Sequence, residues 1–173
     1  MRIGIDLGGS KIEGILLDDH GHEKARHKIP TPAGDYIGTI QAITDLVANI
    51  EHLGNLKNTE TPVGIGIPGT VSPATSLIKN ANSTCLIGKN FDKDLAKALK
   101  RPVRLANDAN CFAVSEATDG AGAGAAIVFG VILGTGVGGC ITIEGKAIKG
   151  INGISGEWGH NPLPWATDDE RPG

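Results

Sequence analysis

What this sequence lacks narrows its class before any motif is read. It has no basic excess and no long basic run: 16 lysines and arginines stand against 19 acidic residues, a formal net charge of −3. So little positive charge leaves no electrostatic footprint for nucleic acid. Pairable cysteine is missing as well. Cys85, Cys111 and Cys140 are odd in number, far apart and set in apolar context without a CxxC step, which suits reduced thiols better than a disulfide frame. No apolar run approaches membrane-spanning length, and "MRIGIDLGG" breaks into glycines where a secretory signal would continue its apolar core. Together these absences describe a soluble, cytoplasmic protein with neither nucleic acid nor membrane as partner.

What is present is an ordinary core and a great deal of glycine. The 173 residues, 40% hydrophobic and 20% charged, suffice for one large domain or two small ones. The 26 glycines cluster at a few loops, where they signal tight turns or close backbone approach.

Along the chain, Arg2 to Leu7 reads as a buried strand, Gly8 and Gly9 as a turn, and Lys11 to Leu17 as a second strand. "EKARHKIPTP" is a third extended segment, closed by Pro30 and Pro32, after which Ile37, Ile40, Ile43, Val47 and Ile50 recur at helical spacing up to Gly54. "TPVGIGIPGTVSP" predicts a short strand running into a proline-glycine corner, "NANSTCLIG" an irregular polar loop, and "FDKDLAKALKR" a helix. "PVRLAND" returns as a strand, "ANCFAVSEATDG" as a helix, and "AAIVFGVILGTGVGGCITIEGKAI" as strand, glycine turn and strand. This alternation is that of an α/β protein. The hairpins "IGIDLGGSKIEGILLDDHG" and "FGVILGTGVGGCITIEGKA" are alike, so the second is expected to open a repeat of the first. Residues 1–120 are then an N-terminal domain and 121–173 the opening of a second domain that stops midway.

Four stretches could carry chemistry. "DLGGSK" places Asp6 at a strand end before a loop whose N–H groups can approach an anion, phosphate above all. It is not a P-loop, because a strand follows where a helix is required. "GTGVGG" and "GIGIPG" both fit G-x-G-x-x-G, yet neither opens a helix, so neither is a dinucleotide fingerprint. "RLANDANC" sets Asp108 between Asn107 and Asn110 at a strand-to-helix corner, where helix capping alone would explain Asn and Asp. "GEWGHNPL" brings Glu157 and His160 three residues apart, too few ligands for zinc by themselves but suited to gripping hydroxyls. Asp108 and Glu157 could serve a glycosidase, which needs two carboxylates. Phosphoryl transfer instead employs both glycine loops, an acid near the metal and one carboxylate base.

In order, "GIDLGGSK", "GIGIPG", "NANST", "LANDANC", "GTGVGG" and "GEWGHNPL" resemble the ROK family of sugar kinases and repressors, and the surrounding text is similar to its bacterial fructokinases. The resemblance implies the actin-like, ribonuclease-H-like ATPase fold with ligands in a cleft between two related domains. It implies ATP-dependent phosphorylation of a hexose, fructose first, with mannose or glucose as other candidates. It makes Asp108 the catalytic base and Gly69, Asn82, Asn107, Glu157 and His160 the sugar wall. ATP phosphates fall to Gly8, Gly9, Ser10 and Lys11 and to Gly134, Thr135 and Gly136, with Asp6 meeting Mg through water. A homodimer is the assembly allowed for. The structural zinc of some members would take His160, but their C-x-C-G-x-x-G-C segment does not occur before Gly173, so zinc is expected only in a full-length protein. A sugar-sensing regulator or inactive remnant is the alternative, and a DNA-binding member is disfavoured because no helix-turn-helix precedes Met1. The chain by itself is expected to be inactive.

Overall fold

The computed structural model describes residues 1–57, 60–81, 83–133, 137–159, 161, 164–167 and 170. The chain forms two compact units, Met1–Cys111 and Phe112–Gly173.

In the first unit, β1 (Arg2–Leu7), β2 (Lys11–Leu17) and β3 (Glu23–Pro30) form an antiparallel meander, followed by α1 (Tyr36–Leu53). β4 (Val63–Ile67) then pairs parallel to β1. The short β5 (Thr70–Val71) and β6 (Ile78–Lys79) make a ladder of their own, α2 (Phe91–Leu99) follows, and β7 (Val103–Asn107) pairs parallel to β4. The sheet order is β3-β2-β1-β4-β7. Period-two alternation places Ile3, Ile5, Leu7, Ile12, Leu16, Val63, Ile65 and Ile67 on one buried face. α1 lies against β2 and β3 on that face, and α2 packs beside β7. Gly14 makes the approach of α1 close, since a Cβ there would sit 3.1 Å from both Ile5 and Leu46.

The apolar stripe of α1 is the expected one from Ile40 to Ile50 and departs from it at Ile37. Asp35 caps the helix by accepting from the Gly38 N–H at 2.8 Å, and the buried positions are Thr39, Ile43, Leu46, Val47, Ile50 and Glu51. Ile37 is 70% exposed while Thr39, two residues on, is buried. The small β5/β6 ladder was not anticipated from sequence: two-residue strands have no periodicity to read. Within "NANSTCLIG", residues Thr84–Leu86 form a single 3-10 turn that buries Leu86.

α3 (Asp108–Asp119) begins directly at the end of β7. In the second unit, β8 (Ile127–Leu133), β9 (Val137–Ile143) and β10 (Lys146–Ala147) form an antiparallel sheet in the order β10-β9-β8. Gly130 lets β8 approach the helix closely, since a Cβ there would fall 2.8 Å from that of Ala113. No described helix is long and apolar enough to cross a membrane.

Candidate functional site

Parallel pairing brings the carboxyl ends of β1, β4 and β7 to one edge of the first sheet. Asp6 is in register with Gly66, Gly66 with Ala106, and Ile67 with Asn107. Ligands of open α/β sheets bind beyond such strand ends. Asn107, the last residue of β7, is committed at both ends of its amide: Nδ2 donates to the Gly69 carbonyl at 3.2 Å, and Oδ1 accepts the Asn110 N–H at 3.2 Å. Asn107 therefore supplies the cap for α3, a role the sequence left open between Asn107 and Asp108. Gly69 is held equally tightly, for a Cβ there would fall 2.8 Å from the Ala81 Cβ and 2.9 Å from its Cα.

Freed of capping, Asp108 occupies the first turn of α3 and is exposed. Its Oδ1 accepts the Ala109 N–H at 2.8 Å, which leaves the second oxygen uncommitted. No cation pairs with it among the described residues.

On the neighbouring strand end, the turn Gly8–Ser10 is closed by the Gly8 N–H donating to the Lys11 carbonyl at 2.9 Å. A Cβ on Gly8 would meet that same carbonyl at 2.9 Å, whereas one on Gly9 would meet nothing within 4 Å. Neither glycine has a positive φ. At Gly8, close approach rather than a left-handed dihedral is what glycine serves. The Gly9 and Ser10 N–H groups have no acceptor among the described residues, and Lys11 has no carboxylate partner there. The loop thus offers two backbone donors and an ammonium, which is the equipment of an anion site. Thr31 holds the loop from β3, its N–H donating to the Ser10 carbonyl at 3.0 Å and its hydroxyl to the Gly8 carbonyl at 2.8 Å. Sequence analysis gave "PTP" only a strand-ending role; a threonine locked between two prolines was the signal available. A cleft of about 150 Å³ opens beside the loop, with Gly9, Thr31, Gly34, Ser83 and Thr84 in its wall.

Electrostatically, the edge is short of positive charge. Desolvation by the packing around Asp6 raises its pKa, and the negative charges of Asp108 and then Glu13 raise it further, against the smaller opposing effects of Lys11 and Lys28. Two carboxylates that repel across a solvent-accessible edge are a donor set that suits a divalent cation.

The second unit presents Glu157. Its Oε1 accepts the N–H groups of Trp158 and Gly159 at 3.1 and 3.2 Å, and Trp158 Nε1 donates to the Gly138 carbonyl at 3.1 Å. The segment carrying Glu157 runs so close to β9 that a Cβ on Gly139 would lie 2.7 Å from Trp158 Cδ1 and one on Gly156 2.6 Å from the Ile141 nitrogen. Gly156 also has φ +83°. The glycines at these positions therefore dock the Glu157 loop on the strand. Burial pushes the Cys140 thiol pKa up, with a further push from Glu157.

Asn82, Gly134, Thr135, Gly136 and His160 lie outside the described residues. Among the described residues no group of three or more His, Cys, Asp and Glu is placed to hold a metal. The zinc expectation thus has no donor set here, and no step below depends on it.

Comparison with known proteins places this geometry in context. The family profile described as "ROK family" matches residues 2–172. N-acetyl-D-glucosamine kinase of Citrobacter koseri is 42% identical over 164 residues, 95% of this chain and 53% of that protein. The enzyme of the same name from Pectobacterium atrosepticum is 38% identical over the same coverage. Among solved structures, a ROK family glucokinase from Streptomyces griseus in complex with glucose and AMPPNP superposes with a TM-score of 0.80 at 33% identity, covering 92% of this chain and 49% of that one. A ROK hexokinase from Thermus thermophilus superposes with a TM-score of 0.79 at 28% identity, covering 94% and 53%. The mixed sheet with flanking helices is accordingly the actin-like ATPase arrangement of these structures. The chain spans about half the length of the relatives it matches.

Proposed function

The chain belongs to the ROK family, and from that premise we propose that its protein transfers the γ-phosphoryl group of ATP to a hydroxyl of a hexose, with Asp108 as general base. The observation that carries this reading is a single sheet edge bearing both an unpaired carboxylate, Asp108, and a loop with two free backbone donors, Gly9 and Ser10. The free Asp108 oxygen accepts the proton of the attacking hydroxyl as the new sugar O–P bond forms and the bond to the β-phosphate oxygen breaks, ADP leaving. In the loop Gly8 to Lys11, the Gly9 and Ser10 N–H groups and the Lys11 ammonium hold phosphate oxygens, and Gly8 closes the turn. Asp6, through water, and Asp108 are the carboxylates that would hold a magnesium ion, which would neutralise charge on the phosphates. Asn107 keeps an N–H and an oxygen lone pair beyond its two backbone bonds, which suits one sugar hydroxyl. Gly69, Asn82, Glu157 and His160 complete the sugar contacts in this proposal, with Gly134, Thr135 and Gly136 as the second phosphate loop.

Fructose came first from sequence resemblance, but relatives named N-acetyl-D-glucosamine kinase at 38 and 42% identity over 95% of the chain put N-acetyl-D-glucosamine ahead of it. The test is ADP release with ATP and each of N-acetyl-D-glucosamine, glucose, mannose and fructose, on protein expressed from the whole gene. Turnover on the acetamido sugar with the highest kcat/KM is expected. Sugar binding without ADP release would favour the sugar-sensing alternative, and release on none of the four would overturn hexose phosphorylation.

A further inference from the structure

We propose that Thr31 is the positioning residue of the first phosphate loop: its N–H and hydroxyl, donating to Ser10 and Gly8, hold the loop and fix the direction of its free Gly9 N–H. This rests on the phosphate-binding role proposed above for that loop. Two of its carbonyls are claimed by this single residue, at 3.0 Å and 2.8 Å. A peptide plane whose carbonyl is tied down fixes the direction of the N–H on its far side. The Gly8 carbonyl thus sets the Gly9 N–H, and the Ser10 carbonyl sets the Lys11 N–H.

The sequence around Thr31 stiffens the anchor. Pro30 is the last β3 residue in register with β2, opposite Lys11, so the Thr31 N–H adds one bond beyond the regular ladder. Pro32 restricts the residue before it to extended backbone, and Pro30 has its own φ locked. The hydroxyl is therefore presented with little conformational entropy left to lose. Thr31 contacts the loop through its backbone carbonyls, so it acts through the Gly9 and Lys11 N–H groups whose peptide planes it fixes.

Glycine at positions 8 and 9 makes such an anchor necessary. Without side chains the turn has no rotamer contacts to define it, and only the Gly8 N–H bond to Lys11 closes it from within. A free glycine turn samples many dihedrals, and donors spread over many directions bind an anion more weakly than fixed ones.

The experiment compares Thr31→Val, which keeps shape and β-branching but lacks the hydroxyl, with Thr31→Ser, which keeps the hydroxyl. Both are made in protein expressed from the whole gene. Affinity for the non-hydrolysable ATP analogue AMPPNP is read by calorimetry, and KM for ATP and for sugar by ADP release. Thr31→Val is expected to weaken AMPPNP and raise the ATP KM about 5- to 10-fold, the ~1 kcal/mol worth of one such hydrogen bond, with the sugar KM within about twofold. Thr31→Ser is expected to restore nucleotide affinity. Equal weakening of both ligands without rescue by serine would assign Thr31 a merely structural part, and unchanged nucleotide affinity in Thr31→Val would overturn the proposal. Wild-type protein that binds AMPPNP but phosphorylates no sugar would sink the kinase reading alone, since the Thr31 comparison still reads on nucleotide affinity. A wild type that binds no nucleotide would overturn both.

Discussion

Asp108 and Asn107 divide the work of one strand-to-helix corner, and the division is settled by which side chain the backbone occupies. Asn107 spends its amide on Gly69 and Asn110, so Asp108 is left with an oxygen for chemistry. Asp108→Asn is therefore expected to lower kcat by about 100- to 10,000-fold while sugar affinity stays within a few fold, because the amide keeps the shape and cannot take a proton. Steady-state kinetics with equilibrium sugar binding checks it. Asp6 gives a pH prediction of opposite kind. Its pKa is raised in the folded protein by desolvation and then by Asp108, so the folded state binds that proton more tightly than the unfolded one. Stability is therefore lost as pH rises from the ordinary carboxylate range through the raised value. Asp6→Asn should remove this loss, raising the unfolding midpoint of the ligand-free chain at pH 7 and leaving it unchanged at pH 3. Thermal melts across that range decide, and a lower midpoint at pH 7 would contradict the sign.

Among the elements, α1 and the turn between α2 and β7 are joined by one ion pair. Arg101 donates to both carboxylate oxygens of Glu51 and lies 3.5 Å from the Thr61 carbonyl, with side-chain exposures of only 7% for Arg101 and 11% for Glu51. Removing one partner strands the other charge out of water. Glu51→Ala is expected to cost about 3–5 kcal/mol, and the double change Glu51→Ala with Arg101→Met to recover a large part of it, since paired removal leaves no unpaired charge. Urea unfolding of the single and double variants measures both. A cost below about 1 kcal/mol would place the pair with ordinary surface bridges.

At the scale of the molecule, the second unit carries apolar surface that its own described residues leave uncovered. Among the described residues β8 pairs only with β9, and Ile127, Phe129 and Leu133 on it are 65%, 52% and 73% exposed. An unpaired edge bearing such a face is an association hazard. The chain of residues 1–173 is expected to scatter light and bind a hydrophobic dye at micromolar concentration, and Leu133→Lys with Ile127→Lys to reduce both without altering far-ultraviolet circular dichroism. A monodisperse wild-type chain that binds no dye would contradict this.

Sequence alone determined the elements whose signal is local. β1 and β2 fall on Arg2–Leu7 and Lys11–Leu17, the expected residues, because alternating aliphatic residues bounded by glycine leave few other conformations. The order of motifs likewise pointed to the family that the match over residues 2–172 identifies. Tertiary structure decided what depends on neighbours distant in the chain. At the start of α1, Thr39 is buried and Ile37 exposed, although Ile40, Ile43, Val47 and Ile50 pack as their spacing predicts. The amide that caps α3 is held by Gly69, 38 residues away, and the Gly8 carbonyl is bonded by Thr31, 23 residues beyond it. Gly139 and Gly156 look like loop glycines in sequence and prove to be places where the Glu157 loop must lie against a strand. Periodicity and propensity are carried by adjacent residues, whereas a hydrogen bond or steric limit between remote segments exists only once the fold has brought them together.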